Sequence, residues 1–552
     1  MRAWSPQQAV ATGSFPNMSG DLPLRNVCST LPPGGVLLQG FRVHSRFIGM
    51  AKFYITTTLP YVNADPHIGF ALEIVEADVL ARYHEAIGDE VFFNTGTDEH
   101  GLKIYRRALE EKKDLQAYVD EYAPKFEKLK TTLNLSYTNF IRTTDPHHVN
   151  AAQEFWKRCD KNGDIYKKEY RVKYCTGCEL EKTDSELVHG RCPIHPKEEI
   201  ELREEENYFF RFSKYQNSLL DLYASTPDFA VSPLNSNKVR SSFVVPVSRL
   251  NEIRSFVARG LEDFSVSRLA AKMPWGVPVP GDPKHVMYVW FDALVSYIST
   301  LGWPQDEKRF KEFWPGVQVA GKDNLRQQAA MWQAMLLSAG LPTSRQIFIH
   351  GFITHNGEKM SKSVGNVVDP IVLAKKYGTD AVRYFLLNGF YPHDDGDFSE
   401  ERFEVMYNAD LANGLGNFIQ RVTTLAEKAK ISNSDLSEKQ FSLAVEDAKA
   451  TIRAALNKYE FWDAISAVQN LVSAGDKYVN ETKVWELEGN EQRKVLGNLA
   501  SLSLNIGNLL HIFLPETSEE ILRRFGLTLA EVRSSNGGTI AVKKGEPLFK
   551  RL

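Results

Sequence analysis

Three features of the 552-residue sequence predict an α/β fold: a doubly wound parallel sheet, interrupted by an insertion and followed by a C-terminal α-helical bundle. Short β-branched and aromatic runs alternate with helical stretches over 50–164 and again over 276–400, which is the pattern of a Rossmann-like sheet built in two halves. Between the halves, over 165–275, the alternation stops and three cysteines crowd together. Over 401–552 strand signals are nearly absent and amphipathic helical runs dominate.

Composition sets the outer limits. The chain is 43% hydrophobic and 24% charged, as in ordinary globular proteins, and no apolar run approaches bilayer-spanning length. A net charge of −3 means that any nucleic-acid contact must come from local basic patches. Five cysteines are too few for a disulfide scaffold of this size and point to a reducing compartment. Residues 1–49 stand apart: they hold four arginines, no lysine and one acid. That suits an organelle transit peptide, or equally a start site assigned upstream of Met50. The expected location is therefore cytoplasmic, or organellar if this leader is a transit peptide.

The elements follow in order. A strand at 53–58 leads through a turn-rich stretch into a helix over 66–86, with Asp65 placed to cap it and Pro66 suited to its first turn. A second strand covers 90–94, and the loop Thr95-Gly96-Thr97-Asp98-Glu99-His100-Gly101 opens a further helical run. After the insertion, strands are expected at 286–290, 317–320 and 347–350, with a helix over 324–338. Helices are then expected over 406–429, 442–458, 462–478 and 491–513, and the tail over 539–552 reads as a hairpin or an extended strap.

Two separated segments carry phosphate chemistry. In Pro66-His67-Ile68-Gly69 the amides of a helix start attract anions, and His67 adds a donor beside them. Taken alone, His67-Ile68-Gly69 reads as three common residues that meet by chance. Lys359-Met360-Ser361-Lys362-Ser363 follows a strand and an Asn356-Gly357 turn, so its lysines can neutralise charge on a leaving pyrophosphate. The full pentapeptide, paired with His67 and Gly69, makes the reading specific. In the insertion, Cys175-x2-Cys178 and Cys192-x2-His195 are separated by thirteen residues. Two such knuckles can enclose one structural Zn2+ tetrahedrally, with no open position for water.

These segments, with Thr58 to Asn63, Thr95 to Gly101, Tyr288-Val289-Trp290-Phe291-Asp292 and Gly321-Lys322-Asp323, make residues 52–552 resemble the class I aminoacyl-tRNA synthetases, and within them the bacterial-type methionyl-tRNA synthetases. The resemblance implies ATP-dependent activation of L-methionine and its transfer to tRNA(Met). It implies a methionine site of Leu59, Tyr61, Asp98, Trp290, Ala293, Tyr297 and Gln328, with Asp98 as ammonium partner. Without it, Tyr288 and Trp290 read as alternating core residues of a strand. It implies an ATP site of His67, Gly69, Glu73, Gly321, Lys322, Asp323, Lys359, Ser361 and Lys362, with His67, Lys359 and Lys362 catalytic, Glu73 and Asp323 on the ribose, and Mg2+ accompanying the nucleotide. In the bundle it implies anticodon reading by Asn417 and Arg421, four residues apart on one helix face, and stacking by Trp485. On residue type alone these three read as a solvated pair and a core tryptophan.

The sequence departs from the family at Phe70, where the first signature usually ends in a second histidine, and at Gln327, Gln328 and Met331. Two rivals stay open: charging of another amino acid such as leucine, isoleucine, valine or cysteine, because the ATP signatures are class-wide, and a non-catalytic tRNA-binding paralogue, suggested by Phe70, Gln327 and Gln328. The absence of a large editing insertion speaks against leucine, isoleucine or valine. Intact lysines in the pentapeptide speak against decay. No tRNA-binding domain follows the bundle, so a monomer is expected.

Overall fold

The computed structural model describes residues 50–552 apart from 179, 183–185, 226–241, 361–365 and 535–537. The leader over 1–49, and with it the choice between transit peptide and start site, lies outside the described residues.

Six strands form the central sheet: β1 (Lys52–Thr57), β2 (Glu90–Thr97), β3 (Asn139–Arg142), β4 (Val244–Val245), β5 (Val317–Gly321) and β6 (Gln346–His350). Their order is β3-β2-β1-β5-β6-β4, and every pair is parallel. The chain runs outward from β1 to β3 and later returns beside β1 as β5, in the register Ile55 to Val317 and Thr57 to Val319. The winding direction therefore reverses between β1 and β5. Such a reversal opens a crevice beyond the carboxyl ends of the strands. The inner strands are buried continuously and do not alternate, as expected for a sheet covered on both faces.

Helix α1 (Ile68–Ala86) connects β1 to β2 and is buried on nearly every face from Ile68 to Tyr83. It packs on the sheet and also on the helix Thr379–Asn388, which precedes the bundle. Buried charge joins these layers. Asp78 accepts from Arg82 Nε at 2.8 Å and from the Ser136 amide at 2.5 Å. A nitrogen of Arg383 lies 2.8 Å from Asp78, close as an ion pair but off the line of a hydrogen bond. Arg383 also donates to the carbonyls of Phe513 and Leu133. Burial pushes the Asp78 carboxyl up, but Arg383, Arg82 and the Ser136 amide outweigh it and leave the group below its ordinary range.

The insertion is built on a long antiparallel pair, Ile165–Cys175 with Ile200–Phe210, in register from Ile165–Phe210 to Cys175–Ile200. Phe210 anchors one end in the core, and Cys175 sits at the other. The bundle contains Asn417–Lys428, Ser442–Leu456, Phe461–Thr482, Gly489–Leu510 and Pro515–Arg524. The tail is a strap: no strand occurs over 539–552, and Ala541 and Lys543 donate to the carbonyls of Phe525 and Arg524. Among the described residues no helix is long and apolar enough to cross a membrane.

Three sequence expectations are corrected. The strand expected at 286–290 ends at Met287, and Val289–Ser299 is a helix, so Trp290 and Tyr288 do not alternate on a strand. An unbroken apolar run looks the same as a buried strand or a buried helix. The helix expected over 324–338 is present but irregular: it opens as a 3-10 turn at Lys322–Asn324 and is widened by a π-helical stretch at Gln327–Met331 before it continues as Trp332–Ser338. Finally, Asp65 does not cap α1: it is exposed and bonds Lys125 at 2.8 Å, while His67 holds the cap position.

Replacing Asp78 by Ala leaves two buried guanidinium groups without their shared anion. It is expected to cost about 3–5 kcal/mol of stability in denaturant unfolding, the range for breaking a buried ion pair. A loss below about 1 kcal/mol would contradict a tie across these layers.

Candidate active site

A cleft of about 640 Å³ opens at the carboxyl ends of β1, β5 and β6, where the winding reverses. Its walls bring together most of the residues singled out from the sequence: Leu59, Tyr61, Asp98, Trp290, Ala293 and Tyr297 at one end, and His67, Gly69, Glu73, Gly321 and Asp323 at the other.

At the second end, Nδ1 of His67 accepts from the Gly69 amide at 3.1 Å, which caps α1. The ring proton therefore belongs on Nε2, turned away from the helix start. A Cβ at Gly69 would lie 2.9 Å from the His67 ring, so glycine is what allows this fold-back. Phe70 sets its ring edge-on to Phe126 and lines the cleft with carbon where the family signature has a polar group.

Glu73 is buried and fully bonded. One carboxylate oxygen accepts from the Thr58 amide at 2.7 Å and the Thr58 hydroxyl at 2.5 Å; the other accepts from the Gly321 amide at 3.2 Å and faces His350 Nε2 at 3.1 Å. Glu73 thus bridges the ends of β1 and β5 below the cleft. The Lys322 ammonium lies on Asp395 at 2.5 Å and over the Phe352 ring. Asp323 stands against Gly321, where a Cβ would come within 3.0 Å of its carboxylate.

At the other end, Tyr61 and Asp98 pair through their backbones and Asp98 is buried. Trp290 meets Tyr61 edge-on at 6.3 Å between ring centres. Gln328, expected on the wall, lies behind it. Its Nε2 donates to the Tyr297 hydroxyl at 2.7 Å and its Oε1 accepts from Gln318. Gln327 takes the wall position instead. The π-helical turn shifts the face that α-helical spacing would present. Beneath Asp98, the loop is pinned by Arg142 on Glu99 at 2.6 Å and by His100 on Asp292 at 3.0 Å. Burial pushes the Asp292 carboxyl up, against the pull of His100.

The thiols of Cys175, Cys178 and Cys192 and a ring nitrogen of His195 all lie within 4.8 Å of one another. Nδ1 of His195 is 3.2 Å from the Cys178 sulfur. At Gly177 a Cβ would stand 2.4 Å from the His195 ring, so the knuckle closes only around glycine. The donor set and its closeness fit one tetrahedral soft metal ion. The sequence did not disclose that Gly177, Cys178, Ile194 and His195 form part of the cleft wall.

The second phosphate segment begins in a hairpin. Asn356 and Gly357 both have positive φ, 53° and 78°, the turn that favours Asn-Gly, and Lys359 pairs with Thr354. Met360 reaches the cleft, while Ser361, Lys362 and Ser363 lie outside the described residues. In the bundle, Arg421 reaches Asn480 at 3.1 Å and lies 6.0 Å from the centre of the Trp485 ring. Trp485 is half-exposed, which removes the reading of a core tryptophan, and Asn417 is exposed one turn before Arg421.

The family model of tRNA synthetases class I (M) matches residues 53–199 and 196–423. The methionine–tRNA ligase of Thermotoga maritima is 39% identical over 91% of this chain and 80% of its own length. That of a Nostoc species is 40% identical over 91% of this chain and 97% of its own. The solved methionyl-tRNA synthetase of Mycobacterium tuberculosis, in complex with methionyl-adenylate, superposes with a TM-score of 0.82 at 33% identity, covering 91% of this chain and all of that one. Its ligand-free form gives 0.77 at 29% identity. On these matches the chain belongs to the methionyl-tRNA synthetase family of class I tRNA synthetases.

Proposed function

We infer that this chain is a methionine–tRNA ligase, which activates L-methionine with ATP and transfers it to tRNA(Met). The observation that carries the reading is the single cleft, with an aromatic compartment ending in a buried carboxylate on one side and a helix start with an acid pair on the other. Tyr61, Trp290 and Tyr297 suit a polarizable thioether, and Asp98 suits the substrate ammonium. His67, the α1 amides and the lysines of the 359–363 segment take the phosphates, with Asp323 on the ribose. Glu73 already has four donors, so it serves the nucleotide chiefly by holding Thr58 and Gly321.

In the first step a methionine carboxylate oxygen bonds to the α-phosphorus as the bond to the bridging oxygen breaks, releasing pyrophosphate. The chain contributes in-line placement and cationic stabilisation of the leaving group. Mg2+ bound with ATP supplies further neutralisation of phosphate charge. In the second step a terminal ribose hydroxyl of tRNA attacks the activated carbonyl and AMP leaves. Asn417, Arg421 and Trp485 read the anticodon, where a fork of donors and an exposed ring suit unpaired bases. Cys175, Cys178, Cys192 and His195 hold one structural Zn2+ that keeps the cleft wall in shape.

Pyrophosphate exchange across the twenty amino acids is expected to proceed with methionine, and silence with methionine would overturn the reading. Lys362→Ala is expected to lower exchange by roughly 10²–10³-fold, the usual loss for one preorganised transition-state contact, with tRNA binding nearly intact. An unchanged rate would remove Lys362 from the chemistry. Elemental analysis should find zinc equimolar with the chain and a marked loss in Cys178→Ser; retention of zinc in that variant would contradict the ligand set.

A further inference from the structure

The residue beneath Glu73 has a hydrogen-bond pattern that fixes its charge. His350 ends β6 and is buried. Its Nε2 faces Glu73 at 3.1 Å, and its Nδ1 lies 2.7 Å from the Gly351 carbonyl. Glu73 accepts backbone amides on both oxygens, so it is an acceptor toward His350 as well. Each ring nitrogen therefore faces an acceptor, and a neutral imidazole carries only one N–H. Only the imidazolium satisfies both contacts.

We propose that His350 is a positioning residue for the nucleotide: its imidazolium holds the Glu73 carboxylate on Thr58 and Gly321, and so fixes the gap between the ends of β1 and β5 over which ATP lies. The proposal rests on the nucleotide reading given above. His350 acts through Glu73 and touches no reacting atom. When it loses its proton, one N–H is left for two acceptors and the positive charge opposite the Glu73 carboxylate is gone, so the bridge loosens and the nucleotide end of the cleft loses its spacing. The far side of the methionine compartment is held by contacts of its own, the Tyr61–Asp98 backbone pair and the His100–Asp292 pair at the start of the helix Val289–Ser299.

The groups around His350 set where this happens. From α1 come Glu73 and Glu76. Glu76 is buried, with one carboxyl oxygen lacking any partner and a small hollow beside it lined by Leu72, Phe352 and Phe390. Asp323 approaches across Gly321, where a Cβ would lie 3.0 Å from its oxygen and 3.6 Å from the His350 ring. The Lys322–Asp395 pair borders the same end of the cleft, and His393 lies across Phe348, kept below its ordinary value by burial. Burial works against the imidazolium, but the Glu73 hydrogen bond and the charges of Glu76 and Glu73 outweigh it and push His350 up to about 9. Burial likewise pushes Glu76 up to about 8, so Glu76 is charged when His350 titrates and delays its release.

The test is pyrophosphate exchange by the full chain from pH 6.5 to 10, with KM for ATP and for methionine measured separately. In the unaltered protein KM for ATP should rise above about pH 9, by up to roughly tenfold per pH unit, the limit for one essential proton. KM for methionine should not follow. His350→Gln keeps an N–H toward Glu73 but has no proton to lose, so its KM for ATP should lack this inflection. Glu76→Gln should move the inflection to lower pH, because a charge that retains the proton is gone. An inflection unchanged in His350→Gln overturns the proposal; if that variant does not fold, an inflection unmoved in Glu76→Gln overturns it instead. Asp323→Ala separates the two levels. If it leaves KM for ATP unaltered, the nucleotide does not lie here and both readings fall. If it raises KM for ATP by about tenfold, one lost hydrogen bond to a charged group, an unmoved His350→Gln profile removes the positioning role alone.

Discussion

The Glu73 carboxylate accepts from Thr58 at the end of one strand and from Gly321 at the end of its neighbour, although the two are brought together only by the reversal of the winding. Parallel strands that diverge at such a point leave backbone amides without ladder partners, and burying them unpaired would be costly. One side chain from α1 meets that need. It also ties the helix whose start carries His67 to the strand end that presents Asp323. The cleft keeps its shape because its floor is hydrogen-bonded, while its walls remain available to a ligand.

The same helix carries that rigidity away from the site. Glu73 and Glu76 face the cleft floor, and Asp78 and Arg82, further along α1, face Arg383, Asn134 and His511. One buried element thus contacts both the catalytic layer and the helices that lead into the bundle. The knuckle around Cys178 and His195 does for the opposite wall what Glu73 does for the floor: it fixes an irregular loop through side chains, where no regular structure would.

Local signals in the sequence account for much of this. The alternation of apolar runs indicated the sheet, the paired Cys-x2 spacing indicated the knuckle, and Asn356-Gly357 indicated the turn. Tyr61, Asp98, Trp290 and Asp323, all singled out from the sequence, lie on one cleft. What escaped detection depends on contacts far apart in the chain or on helix geometry. Trp290 was read on a strand because a fully buried helix has no polar face to betray its period. The π-turn at Gln327–Met331 has no residue signature, so Gln328 was placed on the wall that Gln327 occupies. His350 and Glu73 are 277 positions apart, and nothing in either neighbourhood marks their meeting. The Asp65 cap failed because the helix starts at Ile68, two residues later than expected, so that His67 holds the cap position and takes the Gly69 amide, and a capping rule based on residue type ranks aspartate above histidine.

We propose that one cleft holds both halves of the reaction at once, with Asp98 at one end and Asp323 at the other. Calorimetric binding of a non-hydrolysable methionyl-adenylate analogue tests it most directly. One site per chain is expected, with an affinity at least about 100-fold above that for methionine alone, because joining two fragments in one site adds their contacts without a second loss of freedom. An analogue that binds no more tightly than methionine would contradict it.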